Sequence, residues 1–174
     1  DCLIAIGGGS TIDTVKLTWL LYEHPEFDLD KSDDISSLMN IKLRSKANFI
    51  AIPTVFGSGA EASSAAAYSK KDSIKKTIIL SHEFIPDKVI LDPNLSETVK
   101  TSTLLSSSFD SLTHSIEGYV SLIKNKMMEP MAISAIKSII QNVKKIIDQG
   151  KNINTLEELS ITSYYSGIVQ NHCS

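Results

Sequence analysis

The hydrophobic positions divide the chain into two regimes. Residues 2–6, Cys-Leu-Ile-Ala-Ile, form a short continuous apolar run that stops at Gly7-Gly8-Gly9-Ser10, and Thr11 to Tyr22 then reads as a helix. A wholly apolar strand feeding a glycine turn and a helix is the pattern of a parallel sheet covered on both faces. A second such strand is expected over 48–52, Asn-Phe-Ile-Ala-Ile, ended by Pro53 and a second glycine-bearing loop, Phe56-Gly57-Ser58-Gly59. Shorter strands are expected at 64–69, 77–80 and 88–91, the last closed by Asp92-Pro93. Residues 23–47 are polar and acid-rich, with Asp30, Asp33 and Asp34 among them, and read as a solvated excursion.

From Ser96 onward glycine becomes scarce and the apolar period becomes helical. Ile136, Ile139, Ile140, Val143, Ile146 and Ile147 fall on one helical face. Gly150 stands where a helix commonly ends. Thr155 with Glu158 supplies a capping box for a last helix over 156–170. The expected fold is therefore an α/β part over 1–95 followed by an all-helical part over 96–174, with at least three helices and no strand within 126–148.

Composition narrows the class without naming a chemistry. The chain has 174 residues, 42% hydrophobic and 21% charged, which suits one large or two small globular domains. A net charge of −3 without a basic block argues against nucleic acid as a partner. No apolar run is long enough for a membrane-spanning helix. Cys2 and Cys173 sit at opposite ends, a usage that fits a reducing, cytoplasmic compartment better than a disulfide scaffold. The first residue is Asp and a strand begins at once, so the chain is expected to be cut from a longer polypeptide without a signal peptide.

Three groups of residues could carry chemistry. Gly7-Gly8-Gly9-Ser10 would let backbone approach a phosphate at a helix N-terminus, with Ser10 as N-cap or as a donor to the same phosphate. A tight strand-to-helix turn is the competing explanation. The second loop, Pro53 to Glu61, also leaves the carboxyl end of a strand, where ligands of open α/β sheets sit, and Thr54 and Ser58 carry hydroxyls suited to ribose or phosphate. Lys76, beside Lys75, could reach a ribose or phosphate oxygen, or simply be a solvated strand end. The most informative string is Asp110-Ser-Leu-Thr-His114-Ser-Ile-Glu117. On a helix over 105–121 the Asp110 carboxylate and His114 imidazole lie one turn apart and could share a divalent cation, or form a plain surface ion pair.

These pieces resemble one family in order and spacing. Ala5-Ile6-Gly7-Gly8-Gly9-Ser10-Thr11-Ile12-Asp13-Thr14-Val15-Lys16 resembles the GGGSxxDxAK segment of the iron-containing (group III) alcohol dehydrogenases. Ile52 to Glu61 resembles that family's IPTTAGTGSE loop, Leu91 to Leu95 its LDPxL, and Asp110 to Glu117 its DALTHxxE. The resemblance implies a dehydroquinate synthase-like architecture: a Rossmann-like part binding NAD(H) or NADP(H), then a helical part holding Fe²⁺ or Zn²⁺. It implies that Gly8, Gly9 and Ser10 hold the pyrophosphate, Thr54 and Ser58 line the nucleotide cleft, Lys76 contacts the nicotinamide ribose and Leu95 packs near the cofactor. Asp110 and His114 match catalytic metal ligands, whereas Glu117 and His172 match positions that are not ligands. Two further ligand histidines belong to family segments beyond residue 174. The implied reaction is hydride transfer between the nicotinamide and a small alcohol, aldehyde or ketone, in a homodimer or higher homo-oligomer.

Two departures and two alternatives accompany that expectation. Val55-Phe56 replaces Thr-Ala, removing one hydroxyl and placing a bulky ring where it is expected near the cleft. Glycerol or glycerol-phosphate dehydrogenases and dehydroquinate-synthase-like lyases share the glycine loop but usually lack the DxLTHxxE string. A non-catalytic nucleotide-binding protein, with Asp110 and His114 as an ion pair, is the reading from a different class.

Overall fold

The computed structural model describes residues 1–29, 41–70, 76–123 and 125–173. Asp30, Asp33, Asp34 and Lys75 lie outside them. Three parallel strands, β1 (Cys2–Gly7), β2 (Asn48–Pro53) and the short β5 (Lys88–Val89), form a sheet in the order β1-β2-β5. The register aligns Ala5 with Ala51 and Gly7 with Pro53, which brings the ends of β1 and β2, and so both glycine loops, to one edge. Helix α1 (Gly9–Glu23) and an antiparallel hairpin of β3 (Ala65–Ser69) and β4 (Lys76–Leu80) complete the α/β part.

Side chains alternate across a strand, so the all-apolar runs must serve two faces. On one face Ala5, Phe49 and Ala51 bury against Ile12, Trp19 and Leu20 of α1, with Ala66, Ile79 and Phe84. The other face is not covered among the described residues: Ile4 is 55% and Ile6 59% exposed. The described residues thus cover one of the two faces that the sequence pattern expects to be covered. The hairpin β3–β4 also stands as a separate two-stranded sheet rather than joining the parallel one.

Beyond the last strand, α2 (Thr101–Val120), α3 (Glu129–Gln149) and α4 (Ile153–Cys173) pack against one another, and no strand falls within the described part of 126–148. Of the expected α3 stripe only Ile139, Val143 and Ile146 are buried, while Ile140 is 55% and Ile147 64% exposed. The stripe is wider than the seam that two neighbouring helices can cover. Gly150 ends α3 at φ 81°, donating its N–H to the Ile146 carbonyl at 3.0 Å. The start of α4 differs from expectation. Asn152 and Thr155 cap it reciprocally, Thr155 N–H to Asn152 Oδ1 at 3.0 Å and Asn152 N–H to Thr155 Oγ1 at 3.2 Å, so the box lies three residues earlier than Thr155–Glu158. Cys2 is exposed and Cys173 buried, and both are free thiols. Among the described residues no helix is long and apolar enough to cross a membrane.

One polar staple fixes the approach to β2. Arg44 sits at φ 73°, an uncommon conformation for a side-chain-bearing residue. Its guanidinium donates to Asp87 Oδ1 at 2.6 Å, Glu83 Oε2 at 2.8 Å and the Ile85 carbonyl at 2.6 Å, and it lies 4.9 Å from the Trp19 ring centroid. The same carboxylates accept the N–H groups of Phe49 and Leu43, so the staple ties the segments before β2 and β5 together. Arg44→Ala should lower stability by about 1–3 kcal/mol, since charge-assisted bonds and ring stacking are lost together. Arg44→Gly should be less destabilised than Arg44→Ala by about 1 kcal/mol, because glycine tolerates the backbone conformation. Thermal or denaturant unfolding of both variants checks this. A glycine variant no more stable than the alanine one would show that the backbone at Arg44 is unstrained.

Candidate functional site

The first glycine loop is short because α1 begins inside it. Gly8 is the N-cap, and the Thr11 and Ile12 amides donate to its carbonyl at 3.0 and 3.1 Å. Ser10 is therefore not the cap that the sequence suggested. It lies exposed in the first turn, and its carbonyl accepts from Thr14 Oγ1 at 2.8 Å. The opening amides of α1 have no carbonyl partner within the helix and face outward with the positive end of its dipole. A Cβ on Gly8 would meet nothing within 4 Å, so this backbone is open to an approaching group. Gly9 is closed on its other side, since a Cβ there would lie 2.7 Å from Ser58 Cβ.

That contact joins the two loops. Thr54 N–H donates to the Gly7 carbonyl at 3.0 Å, and the Thr54 carbonyl accepts from Ser96 Oγ at 2.6 Å. Ser96 ends the 3₁₀ turn Pro93–Ser96, whose Leu95 is exposed beside it. Gly8, Gly9, Ser10, Thr54, Ser58 and Leu95 thus come together at the carboxyl ends of β1 and β2. Lys76 stands apart, exposed at the start of β4, with its charge near Asp13 on α1.

Phe56 corrects the sequence reading. Its ring is buried among Leu104, Ile146, Leu156 and Leu159 of the helical core and does not intrude on the cleft. The rest of the second loop follows it. Ser111 Oγ donates to the Gly57 carbonyl at 3.2 Å, and a Cβ on Gly57 would lie 2.6 Å from the Ser107 backbone. The loop is thereby seated on the α2 surface that carries Asp110.

On α2, His114 Nε2 stands 3.7 Å from Asp110 Oδ1. The His114 side chain is 14% exposed and that of Asp110 54% exposed, and Asp110 lines a shallow depression with Ser107 and Thr113. Coulomb attraction across such a half-exposed pair contributes little. His114 Nδ1 is buried and has no hydrogen-bond partner among the described residues, an arrangement that costs about 1–3 kcal/mol. Nδ1 is not the nitrogen nearer Asp110, so it stays unpartnered whether Nε2 meets the carboxylate directly or through a shared cation. Two bonds of about 2.1 Å can span the Nε2–Oδ1 separation. Among the described residues no group of three or more His, Cys, Asp and Glu comes together, so Asp110 and His114 by themselves supply two donors. Glu117 is exposed, and His172 is occupied by the Ile168 carbonyl of its own helix, at 2.9 Å from Nδ1.

The sequence reading also passed over a buried charge cluster. Lys16 of α1 is wholly buried, with Glu61 and Asp13 near it. Burial raises the carboxyls of Asp13 and Glu61 above the usual range against the pull of Lys16. All three residues stand in the quoted motifs, but only their burial marks them, and burial of a lysine cannot be read from spacing.

Comparison with known proteins agrees with this arrangement. The model of the family described as iron-containing alcohol dehydrogenase matches residues 1–93, and that of the Fe-containing alcohol dehydrogenase C-terminal region matches 104–174. The aldehyde-alcohol dehydrogenase of Streptococcus pneumoniae is 32% identical over 97% of this chain and 21% of its own length. The NADPH-dependent butanol dehydrogenase of Clostridium saccharobutylicum is 33% identical over 87% of this chain and 38% of its own. The structure of the iron-containing alcohol dehydrogenase of Thermococcus thioreducens superposes with a TM-score of 0.88 at 30% identity, over 99% of this chain and 45% of that one. The sulfoacetaldehyde reductase of Bifidobacterium kashiwanohense, solved with NAD⁺, gives a TM-score of 0.84 at 25% identity, over 95% and 43% respectively. The chain spans between about a fifth and under half the length of these relatives. Two family models that between them take in both glycine loops and the Asp110–His114 helix place this chain in the iron-containing alcohol dehydrogenase family.

Proposed function

We propose that the intact protein is an NAD(P)-linked, metal-dependent alcohol dehydrogenase that interconverts a small alcohol with its aldehyde or ketone. The observation that carries this is the seating of the Thr54–Glu61 loop, which touches Gly9 on one side and the Asp110 helix on the other. A nucleotide at the loops and a metal on α2 would then share one cleft. When bound, the metal polarises the substrate oxygen as a Lewis acid, and the nicotinamide exchanges the hydride.

The chain's own residues have separable roles in this reading. The amides of Gly8, Gly9 and Ser10 hold the pyrophosphate at the α1 N-terminus. Thr54 and Ser58 border the nucleotide and Leu95 packs beside it, while Lys76, the outlying member at the start of β4, meets the nicotinamide ribose only where the cofactor extends from the loops toward that strand. Asp110 and His114 hold Fe²⁺ or Zn²⁺. The carboxylate of Asp110 offsets part of the cation's charge, and His114 is kept in place by its burial. The division falls near residue 95, nucleotide before it and metal after it.

Two variants of the intact protein separate the halves of the site. His114→Ala should strip metal and turnover together while leaving NAD(P)H affinity within about threefold, because the nucleotide loops lie on other elements. Gly9→Asp should weaken NAD(P)H binding by about tenfold or more, as its Cβ meets Ser58 and its carboxylate opposes the phosphates. Metal analysis and fluorescence titration read the two. Stoichiometric metal with full turnover in His114→Ala would return Asp110–His114 to a simple ion pair, and unchanged nucleotide affinity in Gly9→Asp would remove the phosphate from the first loop.

A further inference from the structure

Lysine is rarely buried without a task, and Lys16 is buried completely. It sits on α1 about two turns after Gly9. Its three ammonium protons face three oxygens: the Ser63 carbonyl at 2.8 Å, the Ala65 carbonyl at 2.8 Å and Ser63 Oγ at 3.2 Å. These oxygens come just after the 3₁₀ turn Ala60–Ala62, which itself follows Ser58 and Gly59 directly. Glu61 within that turn is also buried. On the far side the same segment is held by α4, where Asn171 Oδ1 accepts the Ser64 N–H at 2.8 Å and Gly167 backs onto Gly59. The segment 58–65 is thus gripped between α1 and α4, and Lys16 is the α1 side of the grip.

We propose that Lys16 is a positioning residue whose ammonium holds residues 58–65 against the start of α1 and so fixes the second loop against Gly9 at the edge of the nucleotide cleft. The inference rests on the nucleotide reading of that cleft. A neutral isostere would leave the half-buried Ser63 carbonyl without the ammonium and the Ala65 carbonyl with only the long bond from Ser63 Oγ at 3.4 Å, and both would turn toward water by moving the loop. Because Gly9 and Ser58 are already in contact, such movement changes the cleft directly.

The charge state supplies a readout that a merely structural lysine would not give. The charged groups facing Lys16 among the described residues are Asp13 of α1 and Glu61 of the 3₁₀ turn, with Lys76 of β4 facing Asp13 in turn. Burial lowers the ammonium to about 8, against the opposing pull of Asp13 and Glu61. Above that pH the neutral amine has two protons for three oxygens, and the grip loosens. The stability consequence has the opposite sign. Since the folded value lies below the unfolded one, the unfolded chain binds more protons between about 8 and about 10.5, and Lys16's contribution to stability rises with pH across that window. Loop order and overall stability should therefore part company.

The test uses the intact protein with NADH and NADPH as probes. Protection factors from amide hydrogen exchange over 57–65 and nucleotide affinity by fluorescence are read at about pH 7 and about pH 9.5, with melting curves alongside. In the wild type, protection over 57–65 and nucleotide affinity should both fall about tenfold at the higher pH without a matching loss of melting temperature attributable to this residue. Lys16→Met should show the loosened loop and weak binding already at neutral pH, and Lys16→Arg, which stays charged, should lose the pH dependence. Should neither variant fold, the wild-type pH series alone decides. Protection and affinity that do not change between the two pH values, or a folded Lys16→Met that binds nucleotide like the wild type, would overturn the proposal. A wild type that binds neither nucleotide at neutral pH, yet loses protection over 57–65 on alkalinisation, would overturn the nucleotide reading and leave only the grip.

Discussion

At Gly59 and Gly167 two backbones touch, and the arrangement of the molecule depends on that contact. A Cβ on Gly59 would lie 2.6 Å from Gly167 Cα, and one on Gly167 would lie 2.8 Å from Gly59 Cα. Gly59 also holds φ +64°, which a side chain would strain. The approach lets the loop after β2 lie directly on α4. With Phe56 sunk into the helical core and Gly57 against Ser107, the α/β loop becomes part of the helical packing. The first glycine loop and the helix that carries Asp110 are therefore joined through one packed segment, the loop after β2.

Small residues make that packing possible. Ser108, Ser111, Ser115, Ser160, Ser163 and Ser166 are all buried between or beside the helices. Ser115 and Ser166 bond across α2 and α4 at 2.8 Å, and Gly118 leaves room for Val169. Larger apolar side chains would bury more surface but would push the helices apart and lift α2 from the loop. The helical part thus gives up some apolar burial for closeness, and closeness seats the loop after β2 on the helix that carries Asp110 and His114.

Charge is placed where position matters most. Lys16 and Glu61 are buried and Asp13 is half-buried at the seam between α1, the second loop and β3, where Lys16 donates to the Ser63 and Ala65 carbonyls and Asp13 accepts the Ala67 N–H. A buried ionic group of this kind is expensive in solvation and gains little net stability over an apolar filling. What it fixes is geometry. His114 is a parallel case, a buried ring with one nitrogen toward Asp110 and the other without a partner among the described residues.

The order of elements, the break from α/β to helical, the two glycine loops and the Asp-x-x-x-His helix were all legible in the sequence. They depend on local periods and on short motifs whose spacing is itself the geometry. Other features were not legible, because they depend on what a residue meets across the fold. The apolar run of β1 looked buried on both faces, yet Ile4 and Ile6 face outward because α1 covers only one side. Ser10 looked like a helix cap, but α1 begins at Gly9 with Gly8 as its N-cap. Phe56 looked like an intruder in the cleft, but the chain turns at Gly57 and sends the ring into the helices. Thr155 and Glu158 made a plausible cap that Asn152 pre-empted by standing three residues closer to the preceding turn. Lys16 is the sharpest instance: it closes the GGGSxxDxAK-like segment, yet only the fold brings the Ser63 and Ala65 oxygens from more than forty positions away to its ammonium. Sequence determines the periodic and the contiguous; contacts between distant segments exist only once the chain has packed.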